Sequence, residues 1–68
     1  MTNEEFRTNI GKTILVRVRS SSVEPVVEEM QIIDVSPRGF VKTCDQDDMI
    51  EWYDPGRFNR LYELLEVL

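Results

Sequence analysis

The sequence has no histidine and a single cysteine, Cys44. Without histidine there is no imidazole metal ligand and no histidine-based catalytic triad. The one side chain whose ordinary titration falls near neutral pH is also missing. A lone cysteine cannot close an internal disulfide, and a structural zinc site needs more than one thiolate. The three glycines are isolated, so no glycine-rich loop can cradle a phosphate. The longest unbroken apolar run is Ile14-Leu15-Val16, far short of a membrane span. The opening Met1-Thr2-Asn3-Glu4-Glu5 is polar and acidic, unlike the basic and then apolar start of a secretory signal. These absences predict a cytoplasmic protein with no membrane association, no cofactor and no metal.

What is present is a short acidic chain with enough apolar content for one small core. Its 68 residues are 41% hydrophobic and carry a formal charge of −5. That length predicts a single domain over 1–68. A domain of this size buries only about 60% of the surface its unfolded chain exposes. The charge is uneven. Residues 1–22 carry four basic and two acidic side chains, 23–54 carry two and nine, and 55–68 balance at two each. The acidic middle repels phosphate backbones at long range and makes nucleic acid an unlikely general partner.

The pattern along the chain predicts a short N-terminal helix over 1–11. Thr2 or Asn3 caps it, Glu4 and Glu5 sit at its positive end, Phe6 and Ile10 share a face, and Gly11 ends it. Lys12–Arg19 alternates as a strand, with Ile14, Val16 and Val18 on one face. Ser20–Pro25 is a loop by composition. Val26–Val35 is extended, but its apolar pairs change phase, which predicts a bulge or bend. Ser36-Pro37-Arg38-Gly39 is a turn, followed by a strand from Phe40 to Cys44. Asp45–Asp48 is a second turn, and Met49–Tyr53 is a strand with Ile50 and Trp52 on one face. Beyond Asp54-Pro55-Gly56 the chain fits both a helix and a strand. Two otherwise open sheet edges favour a helical turn at Pro55–Arg60 and then a closing strand at Tyr62–Val67.

A short helix, five strands with tight turns, a bent second strand and a helical turn before the last strand resemble the small barrels of the Sm-like and Src-homology type. The Gly11-Lys12 step into the first strand and Gly39 opening the third look like the Sm pattern. Trp52 and Pro55 ahead of Phe58 look similar to the ligand groove of the Src-homology type. The resemblance covers nearly the whole chain and lies in topology and spacing. It implies a mainly β fold: a short N-terminal helix over 1–11, then a five-stranded antiparallel SH3-like (Sm-like) barrel over 12–68.

The candidate chemistry is thin. Asp45, Asp47 and Asp48 are suited to hard cations, but the spacing to Gly56 fails a calcium loop, and a solvated turn is the simpler reading. Glu28 and Glu29 point to opposite faces of a strand and cannot act as an acid–base pair. Ser20, Ser21 and Ser22 have no adjacent base. Cys44 lies beside three aspartates that disfavour its thiolate, and reads as a half-buried strand residue. Phe6, Trp52 and Phe58 are expected in the core. Arg17 and Arg19 share a strand face, where they can pair with Glu28 or Glu51 or meet a ligand together with Lys42. Leu15, Val27, Ile33, Tyr53, Tyr62 and Leu64 exceed what one small core can take. The candidate interaction surface is therefore Leu15, Arg17, Arg19, Lys42, Tyr53 and Tyr62.

The expected function is that of a non-catalytic acidic interaction module. It binds a partner protein, forms a homo-oligomer, and acts in the manner of small phage-encoded accessory or inhibitor proteins. The alternative is a ring of barrels that binds RNA or a nucleotide-like anion through Arg17, Arg19 and Lys42.

Overall fold

The computed structural model describes residues 1–20 and 23–68. Helix α1 spans Asn3–Thr8 and opens with a reciprocal cap: Thr2 Oγ1 accepts from the Glu5 amide, and the Glu5 carboxylate accepts from the Thr2 amide. Strands β1 (Thr13–Val18), β2 (Val27–Val35), β3 (Val41–Asp45) and β4 (Ile50–Tyr53) follow. Helix α2 (Pro55–Leu61) then leads into β5 (Tyr62–Val67). Asp54 caps α2 by accepting from the Gly56 amide, and Pro55 occupies its first turn, where a missing N–H costs nothing. The ambiguous tail is thus a short helix followed by a strand, as expected, but that strand pairs with β1 alone and leaves β4 as a terminal edge. Ser21 and Ser22, in the expected loop, lie outside the described residues.

The five strands form one antiparallel sheet in the order β4-β3-β2-β1-β5. The phase change read in β2 is a register shift between Ile32 and Asp34 opposite β3. A second shift falls between Leu15 and Val16, where β5 carries Leu65 as an extra residue. The β2–β3 turn depends on Gly39 at φ +90°, with its amide donating to the Ser36 carbonyl at 2.8 Å. A Cβ there would come within 3.0 Å of the Asn3 side chain, so this glycine also lets α1 sit against the turn.

The core consists of Phe6, Ile14, Val16, Met30, Ile32, Val35, Val41, Tyr53 and Phe58. Its aromatic part is continuous. Phe58 packs edge-on against Phe6 with centroids 5.1 Å apart and against Tyr53 at 5.6 Å, and lies 5.1 Å from Tyr62. Tyr53 and Tyr62 meet at 6.0 Å. Four rings thereby join both helices to the two terminal strands. At the same end, Asn59 clamps α1: its Oδ1 accepts from the Met1 amine at 2.6 Å and its Nδ2 donates to the Met1 carbonyl at 2.8 Å.

Trp52, expected in the core, lies outside, together with Ile50, expected on its face, and Ile10, expected on the face of Phe6. Trp52 and Ile50 are 45% and 54% exposed. Alternation along β4 sends Tyr53 to the opposite face from Trp52, and Phe58 packs on Tyr53, so the outer face of β4 holds the tryptophan. Ile10 is 42% exposed and lies two residues beyond the end of α1 at Thr8, outside the helical spacing that would have set it on the face of Phe6.

Because Phe58 touches three other rings, Phe58→Ala should cost about 3–5 kcal/mol, comparable to the whole stability of a domain this small. Ile10→Ala should stay within about 1 kcal/mol. Urea unfolding followed by circular dichroism checks both. Equal midpoints for the two variants would contradict this account of the core.

Candidate functional site

The expected surface residues do not form one patch. Arg17 faces Glu63 across the β1–β5 pair and forms an ion pair with it. Arg19 donates from Nε to the Asn59 carbonyl at 2.9 Å and the Tyr62 carbonyl at 3.3 Å, with Nη1 4.0 Å from the Glu63 carboxylate. Their partner is Glu63 rather than Glu28 or Glu51, because β5 lies alongside β1 and sets Glu63 directly opposite Arg17. Both guanidinium groups border an open groove of about 460 Å³ that also contains Glu24, Pro25 and Glu63. The Arg17 hydrogen bond holds the Glu63 carboxyl below the usual carboxylate range, with the charges of Arg17 and Arg19 acting in the same direction.

Lys42 lies elsewhere. It pairs with Asp34 on β2, whereas Arg17 pairs with Val27. Seven strand positions separate those partners, roughly 23 Å along an extended chain at about 3.3 Å per residue. The Lys42 ammonium sits over the Trp52 ring, 5.7 Å from its centroid. Leu15 is half-buried on the outer face, between Glu29 of β2 and Glu66 of β5. Val27 is exposed, and Ile33 and Leu64 are half-buried.

Tyr53 is not on an outer face. It is buried, and Tyr62 is half-buried beside it, with the two hydroxyls 3.5 Å apart. Burial pushes the Tyr53 phenol far up, and hydrogen bonding to Tyr62 and Glu51 adds to the shift. A small core needed both rings, which removes them from the interaction surface.

The acidic turn is held by its own backbone. Asp45 Oδ1 accepts from the amides of Asp47 at 2.9 Å and Met49 at 3.0 Å, and Asp48 adopts φ +61°. Glu28, Glu29, Asp45 and Asp47 line a shallow hollow of about 100 Å³. Asp34 and Glu51 lie on other parts of the sheet, and Asp54 caps α2. Among the described residues, no group of three or more Cys, Asp or Glu side chains is placed to hold a metal ion. Cys44 is half-buried on β3, as expected.

The surface that sequence reasoning missed lies on the outer face of β3 and β4. An apolar hollow of about 450 Å³ is lined by Ser36, Pro37, Arg38, Phe40 and Trp52. Phe40 is 44% exposed there, and Arg7 braces the turn by donating to the carbonyls of Ser36 at 3.0 Å and Pro37 at 3.4 Å. A sequence signal existed. Val41 and Thr43 belong to the inner face, so Phe40 must point outward, and the pairing of Lys42 with Trp52 puts the tryptophan beside it.

Comparison with protein-family models, curated proteins and solved structures finds no match to the chain.

The Glu63 carboxyl gives a direct check on the Arg17 assignment. Its lowered pKa makes a stabilising contribution that is present above its unfolded pKa and is lost as pH falls through its folded one. Arg17→Ala should raise the Glu63 titration midpoint, measured by carboxyl NMR, into the ordinary range. An unchanged midpoint would mean that another group holds the carboxylate.

Proposed function

We propose that the protein is a small acidic, non-catalytic interaction module that acts by binding a partner protein. One observation carries this reading: Phe40 and Trp52 stand exposed around a preformed apolar hollow, with Ile50 exposed on the same face two residues along β4 from Trp52. Scattered exposed apolar residues are ordinary, but a contiguous aromatic patch with polar and basic neighbours has the composition of a binding site. Arg38 and Lys42 supply that rim.

The strand order, the bend in β2 and the helix between β4 and β5 support reading the sheet as a small barrel of the Sm-like or Src-homology type. Exposed Leu65, Val67 and Leu68 on and beyond β5 support self-association as a second use of the surface. An acidic chain with these features suits a cytoplasmic accessory or inhibitor of the phage-encoded kind, by analogy alone. The RNA-binding alternative has less support. Arg17 and Arg19 are held by Glu63 and by backbone carbonyls, and Lys42 is engaged over Trp52 on a different part of the sheet.

Immobilised wild-type protein should retain a set of proteins from cell extract that Phe40→Asp loses at least ~10-fold, the scale of removing one buried aromatic anchor. Arg17→Ala should retain that set unchanged. Equal retention by the wild type and Phe40→Asp would overturn the reading.

A further inference from the structure

Resting on that interaction-module reading, we propose that the free edge of β4 takes up an extended segment of the partner protein in which apolar side chains alternate with lysine or arginine. The hydrogen-bond pattern of the β3–β4 hairpin makes the edge available. The Asp45 amide donates to the Met49 carbonyl at 3.0 Å, which closes the hairpin with Asp45 and Met49 as a bonded pair. Bonded and non-bonded pairs alternate along an antiparallel ladder. Thr43–Glu51 and Val41–Tyr53 are therefore the bonded pairs that follow, and the N–H and C=O groups of Ile50 and Trp52 point away from β3. β4 is a terminal strand in the sheet order, so no neighbouring strand claims those groups. Pro55, which has no N–H, ends the edge.

The side chains along this edge specify the chemistry of the incoming strand. Ile50 and Trp52 project from the outer face, where Trp52 lines the apolar hollow together with Phe40. A strand bonded to Ile50 and Trp52 places its opposing residues on that same face, so these must be apolar. The residue between them falls opposite Glu51, which projects from the other face and is exposed. Asp48 at the start of the edge and Asp54 at its end are also exposed. Asp54 is engaged in capping α2 and Asp48 lies in the turn, so Glu51 is the carboxylate that meets the incoming strand and calls for lysine or arginine opposite it. The overall charge of −5 draws such a segment in from a distance. The nearby cations Arg38 and Lys42 belong to the outer face, where the incoming side chains are apolar, while Arg57 stacks on the Tyr53 ring on the Glu51 face, so the basic residue belongs opposite Glu51 and not opposite Tyr53.

A second copy is a poorer occupant. In the two-fold pairing that sets Ile50 against Trp52 of a second copy, Glu51 falls directly opposite Glu51 of that copy, and like charges there destabilise. The β5 edge is also a poorer acceptor, because Leu65 interrupts its register.

Trp52 is the only tryptophan, so it reports directly on the edge. The full chain is titrated with three short capped peptides: alternating valine and lysine, the same composition in two blocks, and the alternating peptide N-methylated at its valines. The alternating peptide should bind saturably with a blue shift of Trp52 emission. The block and N-methylated peptides should bind at least ~10-fold more weakly, since a tenfold change corresponds to the loss of one or two net hydrogen bonds. Glu51→Gln, which removes the charge but keeps an oxygen acceptor for the Tyr53 hydroxyl, should weaken the alternating peptide several-fold. Equal binding of all three peptides, or binding of none, would overturn the proposal. So would an emission maximum that shifts with protein concentration alone, because that would assign the edge to a second copy. In each of these cases, loss of captured proteins by Phe40→Asp would leave the interaction-module reading standing.

Discussion

Phe6, Tyr53, Phe58 and Tyr62 pack ring against ring where the first and last strands of the sheet fail to bond. β4 and β5 lie at opposite ends of the strand order, and backbone hydrogen bonds do not connect them. Phe58, carried by a seven-residue helix with an aspartate cap and a proline in its first turn, sits between Tyr53 of β4 and Tyr62 of β5. The same ring receives Phe6, which is how a six-residue helix too short to persist alone becomes part of the fold. Edge-to-face pairs contribute about 0.5–1.5 kcal/mol each beyond their burial, a large share of the stability available to so small a chain.

Joining the two ends through side chains has a consequence for the surface. The β4 backbone keeps its outward donors and acceptors, and the strand's outer face keeps Ile50 and Trp52. A sheet that used this edge to close itself could not offer it to another chain. The Glu51 carboxylate guards the edge against pairing with its own copy, while leaving it complementary to a basic strand.

The fold was legible in the sequence because its signals were local. Alternation in Thr13–Val18, the phase break in β2, Pro37-Arg38-Gly39 and Asp54-Pro55-Gly56 each fix a strand, bulge, turn or cap without reference to distant residues. The site was less legible because it depends on which of two apolar faces wins the core. Trp52 and Tyr53 are neighbours and face opposite ways, and size alone favours burying the tryptophan. The outcome was decided by Phe58, a residue that reaches Tyr53 only once α2 has turned back over the sheet. Arg17 and Arg19 looked available for the same reason: the pairing of β5 with β1 that supplies Glu63 is long-range and leaves no trace near either arginine.

Amide hydrogen exchange of the isolated protein, read residue by residue along β4, tests the central claim most directly. The account predicts slow exchange at Glu51 and Tyr53, whose amides bond to β3, and fast exchange at Ile50 and Trp52, whose amides face the open edge. Protection of Ile50 and Trp52 equal to that of Glu51 and Tyr53 would mean that the edge is already paired, and would contradict both the open β4 edge and a free site for a partner strand.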